Sequence, residues 1–284
     1  MSFFAFKKIL LTTSAICGLS FTGTANAAIE VGTWTDFKNA ITSGTETDII
    51  LTGDIVVDSA DSLYINHDIN ISSKGDNKFT ISAADGVTFS SPFLRNSAGK
   101  TLTLSNVEVK GVKNRLPSGA SYNGSVIHNY KGAIENITGS TFTGNTANSR
   151  GAIYNDGGTI SNIIGSTFTG NSTTGNGGAI YNYNGTIGTL SATFENNSAS
   201  YGGAIYNDEE STINLVADAA DTTDGLLNEV WFKGNTTASG KGGAIYNMGD
   251  LIFTANNSGT FTFYDDIYND GNDAKVDLCR GREW

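Results

Sequence analysis

Gly151-Ala152-Ile153-Tyr154-Asn155 returns at Gly178 to Asn182, Gly203 to Asn207 and Gly243 to Asn247. Degenerate copies read Ser-Val-Ile-His-Asn over Ser125 to Asn129 and Asp-Asp-Ile-Tyr-Asn over Asp265 to Asn269. A second motif, Phe-x-x-Asn, is interleaved at Phe142, Phe168, Phe194 and Phe232, ending at Asn145, Asn171, Asn197 and Asn235. Ile127 to Ile153, Phe142 to Phe168 and Phe168 to Phe194 are each 26 residues apart. Two motifs on one period predict a solenoid. Short apolar runs between glycines, without an i, i+3, i+4, i+7 stripe, make its coils of strands.

Each coil is predicted to hold three short strands: one around Ala-Ile-Tyr-Asn, one with Ile-x-x-Ile (Ile160 and Ile163, Ile187 and Leu190), and one with Ser-Thr-Phe-Thr (Ser140 to Thr143, Ser166 to Thr169). The expected fold is all-β: a single-stranded, right-handed parallel β-helix of roughly ten coils with a short N-terminal capping helix. Equivalent residues then stack about 4.8 Å apart. Ile127, Ile153, Ile180, Ile205, Ile245 and Ile267 are expected as an inward aliphatic ladder, and the four Phe as an aromatic one. Alternation is expected to turn Ala and Asn away from the Ile face, with Asn129, Asn155, Asn182, Asn207, Asn247 and Asn269 at a corner where stacked amides satisfy one another. Tyr154, Tyr181, Tyr206, Tyr246 and Tyr268 are expected to turn outward. Such a row either stabilises a sheet face by stacking or forms a contact stripe for glycan or protein.

Working outward, residues 1–27 combine Lys7 and Lys8, an apolar stretch from Ile9 to Phe21, and Ala25-Asn26-Ala27, which predicts a cleaved secretory signal peptide. Cleavage removes Cys17 and leaves Cys279, so no intramolecular disulfide is expected. Residues 28–124 lack the pentad but keep apolar runs from Ile49 to Val109, expected as a cap followed by irregular coils; residues 125–272 hold the regular repeats. Trp34 to Ile41 predicts a short amphipathic helix capped by Thr35 or Asp36 and stopped at Gly44. Phe194 to Phe232 is 38 residues, so a loop is expected over the acidic segment Ala217 to Glu229. Residues 273–284 match nothing upstream, which fits either a natural cap or a truncated or frame-shifted end. An open solenoid end there is expected to self-associate through its strand edge.

Of the 284 residues 35 are Gly and 2 are Pro. Background usage would supply about 20 glycines. The surplus belongs to the corners, and ladders need the N–H groups that proline lacks. The formal charge of −11 falls to −13 when Lys7 and Lys8 leave with the leader, which argues against nucleic acid as a partner. Asp208, Glu209 and Glu210 are adjacent carboxylates without a neighbouring Arg, Lys or His, and His67 and His128 are isolated. Asp218, Asp221 and Asp224 miss the alternating spacing of a calcium loop. No catalytic, cofactor-binding or metal-ligating residue is therefore assigned. A polysaccharide lyase or hydrolase on the same scaffold is the alternative weighed.

The leader, capping segment and interleaved Gly-Gly-Ala-Ile and Phe-x-x-Asn motifs resemble autotransporter passenger domains, especially those with polymorphic outer-membrane-protein repeats in the pectate-lyase-like β-helix group. The resemblance covers most of Ala28 to Asn272. It implies a bacterial surface or secreted passenger that acts as an adhesin or structural stalk. Its partners would be a host or neighbouring-cell glycan or protein, and a C-terminal β-barrel would carry it across the outer membrane. No such barrel is read in this sequence, so the expectations are a lost translocator, a separate export partner with periplasmic retention in its absence, or a pseudogene product.

Overall fold

The computed structural model describes residues 28–115, 125–218, 229–257, 259–270 and 275–280. The predicted leader, most of the predicted acidic loop, and residues 273–274 and 281–284 of the tail lie outside the described residues. The described residues wind as an all-parallel β-solenoid with one helix. An 8-stranded sheet carries the Ile-Tyr-Asn strands, and a 16-stranded sheet wraps the two remaining long faces. The long strands Thr159–Thr169 and Thr186–Glu195 turn the corner between those two faces without a break. On the Ile-x-x-Ile face ten strands stack, from Ala28–Val31 to Lys275–Arg280, in agreement with the expected number of coils.

The predicted ladders stand in register, but the last rung, Ile267, pairs with Ile245 and is 36% exposed instead of buried. Ile127, Ile153, Ile180, Ile205 and Ile245 are each 0% exposed and paired coil to coil. Leu63 and Leu94 extend this ladder upstream into coils that lack the pentad. Phe142, Phe168, Phe194, Phe232 and Phe263 stack at 4.7–5.1 Å with rings 2–9° from parallel. The Ile-x-x-Ile spacing has a local cause. Ile134 and Ile137 pair with Leu102 and Leu104, and the register shift between Ile134 and Asn136 marks one extra residue. A bulge of this kind keeps both apolar side chains on the core face.

The structure corrects the expected phase of the pentad. Asn lies two residues after Ile, so a regular strand puts both on one face. Asn129, Asn155, Asn182, Asn207 and Asn247 are each 0% exposed, and Ala152, Ala179, Ala204 and Ala244 join the main core. The amides do stack as expected. Each Nδ2 donates to the Oδ1 of the next coil at 2.7–2.9 Å, from Asn96 through Asn129, Asn155, Asn182, Asn207 and Asn247 to Asn269. The Phe-x-x-Asn motif builds a second such ladder, from Asn145 through Asn171, Asn197 and Asn235 to Asp265, at 2.7–3.0 Å.

Three strands per coil also understate the middle coils. A 4-stranded sheet of short strands, Thr146–Ala147, Ser172–Thr173, Ser198–Ala199 and Thr236–Thr237, follows the Asn of Phe-x-x-Asn. The corners need glycine for two reasons. Gly177 has φ +65°, and a Cβ on Gly178 would lie 2.2 Å from the Gly203 carbonyl oxygen.

The predicted helix spans Trp34–Ser43 and stops at Gly44, φ 73°. Its cap is Thr33, whose Oγ1 accepts from the Asp36 amide at 3.2 Å, and not Thr35 or Asp36. Trp34, Phe37, Ala40 and Ile41 face the core, with the Trp34 ring 6.1 Å from Phe93. Lys275–Arg280, which match no repeat in sequence, pair in register with Asp250 to Ala255.

Candidate functional site

The residue between Ile and Asn leaves the core on the outer side of the Ile-Tyr-Asn face. Register aligns Tyr64, Arg95, His128, Tyr154, Tyr181, Tyr206, Tyr246 and Tyr268 in one column. From His128 onward, neighbouring rings sit 4.8–5.4 Å apart.

This column is covered, which corrects the expected exposed row. Tyr154, Tyr181, Tyr206 and Tyr246 are 2%, 6%, 9% and 6% exposed and form a small apolar cluster of their own outside the main core. Tyr268, in the last repeat, is half-buried. Coils that stack about 4.8 Å apart bring successive rings into contact, so each covers its neighbours. Two rims cover the rest. On one side stand residues that precede the glycine corner. Arg150 lies 5.2 Å over the Tyr154 ring and 4.3 Å over that of Tyr181, Tyr201 is 5.1 Å from Tyr246, and Lys241 is 4.6 Å over Tyr268. On the other side stand residues that follow the Asn. His128 Nε2 is 3.0 Å from Asp156 Oδ2, the Tyr206 hydroxyl donates to Met248 Sδ at 3.0 Å, and the Tyr246 hydroxyl donates to Asp270.

Burial pushes the Tyr154 and Tyr206 hydroxyls up to about 12, and the nearby carboxylates of Asp156 and Asp208 add to the rise. Tyr181 and Tyr246 rise further, again chiefly by burial, with Arg150 opposing the rise at Tyr181. These hydroxyls stay protonated at neutral pH and act only as hydrogen-bonding groups. The solvent-facing surface here is the rims, where Tyr183 and Tyr201 are 36% and 38% exposed.

The remaining sequence candidates are not brought together. Asp208 is half-buried on the turn after Ile205–Asn207, with Glu209 and Glu210 exposed beside it. His67 Nε2 lies 2.7 Å from the Glu46 carbonyl oxygen, and His128 is held by Asp156. Asp221 and Asp224 lie outside the described residues. Among the described residues no group of three His, Cys, Asp or Glu side chains is placed to hold a metal ion. A shallow hollow over the short strands is lined by Thr, Ser and Ala, including Thr173, Ser198 and Thr237.

Sequence reasoning missed the rims. Their signal was present: Arg150, Tyr201 and Lys241 each stand immediately before the glycine corner of a pentad. It also missed Tyr64 and Arg95, because Leu63-Tyr64-Ile65 and Leu94-Arg95-Asn96 carry the pattern without its glycines.

Residues 139–162, 165–183, 191–208 and 232–248 match the Chlamydia polymorphic membrane protein repeat. Each stretch contains one Phe-x-x-Asn and one Gly-Ala-Ile-Tyr-Asn. No curated protein and no solved structure matches the chain.

Proposed function

We propose that this chain is a surface-exposed or secreted passenger of the autotransporter type, a non-catalytic rod that serves as an adhesin or structural stalk. One observation carries the proposal. The matched polymorphic membrane protein repeats supply the residues of the Ile, Phe and Asn ladders. The motifs are thus occupied in holding coils together, and the positions between them, on rims and turns, form the surface that a partner meets. Ten coils at strand spacing make a rod about 40–50 Å long. Its partner would be a glycan or protein of a host or neighbouring cell, and an outer-membrane translocator would deliver it.

The test is display of residues 28–280 on a non-adherent cell. Binding to epithelial cells or to a glycan array, lost on protease shaving of intact cells, is expected. Unchanged adhesion would overturn the adhesive role, and protection of the native chain from protease in intact cells would overturn the surface location. Self-association through the last coil belongs to the same proposal, supported by Ile267 at 36% and Tyr264 at 63% exposure. Sedimentation should show a species heavier than the monomer, and a monodisperse monomer would exclude it.

A further inference from the structure

The net charge of −11 conceals a reversal along the rod. From Ala28 to Asp85 there are ten Asp and Glu against three Lys; from Asp156 to Asp270 there are thirteen against two Lys. Between them, from Gly86 to Asn155, seven Lys and Arg face only Glu108 and Glu135. The ion pairs among the described residues join Lys38 to Asp61, Lys74 to Glu30 and His128 to Asp156, and use none of these seven cations.

The fold gathers four of them, Arg95, Lys100, Lys131 and Arg150, on and beside the outer Ile-Tyr-Asn face. Arg95 stands in the aromatic column, 4.5 Å over Tyr130 and 5.8 Å over Tyr64. Lys131 follows Tyr130 at the strand end, its Nζ 5.6 Å over that ring. Lys100 sits at the same corner one coil earlier, where the Gly99 amide donates to the Lys131 carbonyl and the Ala133 amide to the Lys100 carbonyl. Arg150 closes the band on the opposite rim, over Tyr154 and Tyr181. Lys131 is exposed and the other three are half-exposed. Aromatic faces hold the cations in place without neutralising them, so their charge is presented outward.

We propose that this cationic and aromatic band binds the sulfate or carboxylate groups of an acidic polysaccharide crossing the rod. The inference rests on the surface-passenger reading and names the class of its partner. Size selects the partner. The band spans three coils, about 10–15 Å along the axis. Inside the band Asp156, held by His128 Nε2 at 3.0 Å, offsets one of the four cations. At physiological salt, charges more than about 8 Å away are largely screened, so the acidic coils beyond the band do not cancel the remaining field at contact. A single flexible polyanion can cross at the band. A bilayer or nucleic-acid duplex is broader and would lie against the acidic coils on both sides, where like charge opposes it.

The test uses the full chain with a fluorescent heparin oligosaccharide, neutral dextran as control, at graded NaCl. Binding at low salt that weakens as salt rises is expected, with none to dextran. Arg95→Glu with Lys131→Glu should weaken it about tenfold or more, whereas Lys233→Glu, outside the band, should leave it unchanged. Lys100→Ala with Lys131→Ala is a milder variant for the case that the double reversal fails to fold, and should also weaken binding; an unchanged urea midpoint certifies either. No binding to heparin, or binding indifferent to both variants, overturns the proposal. So does equal binding to vesicles containing phosphatidylserine, which makes the partner a lipid surface. A salt-sensitive dimer abolished by the double reversal, without heparin binding, overturns it in favour of a second copy. Cell adhesion by a displayed chain that ignores heparin would sink this inference alone and leave the passenger proposal standing.

Discussion

Asn155 donates to the Gly158 carbonyl oxygen at 3.0 Å and to Asn182 Oδ1 at 2.8 Å, while its own Oδ1 accepts from Asn129 at 2.8 Å. The residue is fully buried, so no water replaces a lost partner. Each polar group orphaned by Asn155→Ala should cost about 1–3 kcal/mol, read as a lower urea midpoint; a loss below about 0.5 kcal/mol would show that the ladder is not a stabilising feature. Phe168→Ala, at the centre of the ring stack, should cost about 3–5 kcal/mol in the same assay. The tyrosine column makes stability depend on alkaline pH. Tyr154 and Tyr206 titrate near 12 in the folded chain against an ordinary 10.0, so from pH 10 upward the unfolded chain loses protons that the folded chain keeps. Their contribution is complete below pH 10 and is lost between 10 and about 12. Denaturant midpoints measured across that window should fall, less steeply in Tyr154→Phe with Tyr206→Phe, and ultraviolet titration should show the same tyrosines ionising late.

The last repeat differs from the others as an element. Phe263 to Ile267 spans four residues where Phe232 to Ile245 spans thirteen, so this coil omits the short fourth strand. The amides left facing that gap are taken by two carboxylates. Asp265 accepts from the Gly234 and Asn235 amides, each at 2.9 Å, and Asp266 from those of Gly242 and Gly243 at 2.8 and 2.7 Å. The Asp-Asp of the degenerate pentad is therefore a cap. Asp266→Ala should speed hydrogen exchange at Gly242 and Gly243 well before it affects Gly203, whose amide donates to the Gly242 carbonyl. Uniform loss of protection along the rod would contradict this. At the other end, Thr33→Ala should cost about 1 kcal/mol through the helix cap. Thr33 lies one residue before the apolar stripe of the helix, whereas the cap expected from sequence, Thr35 or Asp36, lies inside it. Only the backbone that enters the helix decides which side chain meets the free amide.

For the whole molecule, a solenoid stabilised by neighbour contacts should tolerate removal of one full period. Deleting residues 146–171 joins Asn145 to Ser172 and lets Phe142 stack on Phe194. The shortened chain should keep cooperative unfolding and a parallel-sheet infrared band, whereas removing half a period should abolish both. The repeats made the strand type, the period and the Ile, Phe and Asn ladders legible in one dimension, because a 26-residue spacing dictates which residues stack. The upstream coils were legible as apolar runs, but their membership of the same ladders was not: Leu63-Tyr64-Ile65 and Leu94-Arg95-Asn96 carry no glycine corner. Exposure was the quantity that the sequence did not determine. Strand alternation says that Tyr154 points away from the core. Whether it meets solvent depends on Arg150, His128 and Tyr181, which come from the preceding corner and the adjoining coils. The cationic band follows the same division. Its residues are scattered over 56 positions from Arg95 to Arg150 in a chain of net negative charge, and only the winding of the coils gathers them onto one side. Local pattern determined that the repeated Ile and Phe face inward; the tertiary structure decided that the pentad Asn joins them and what covers the outward residues, because a solenoid makes neighbours of residues one period apart.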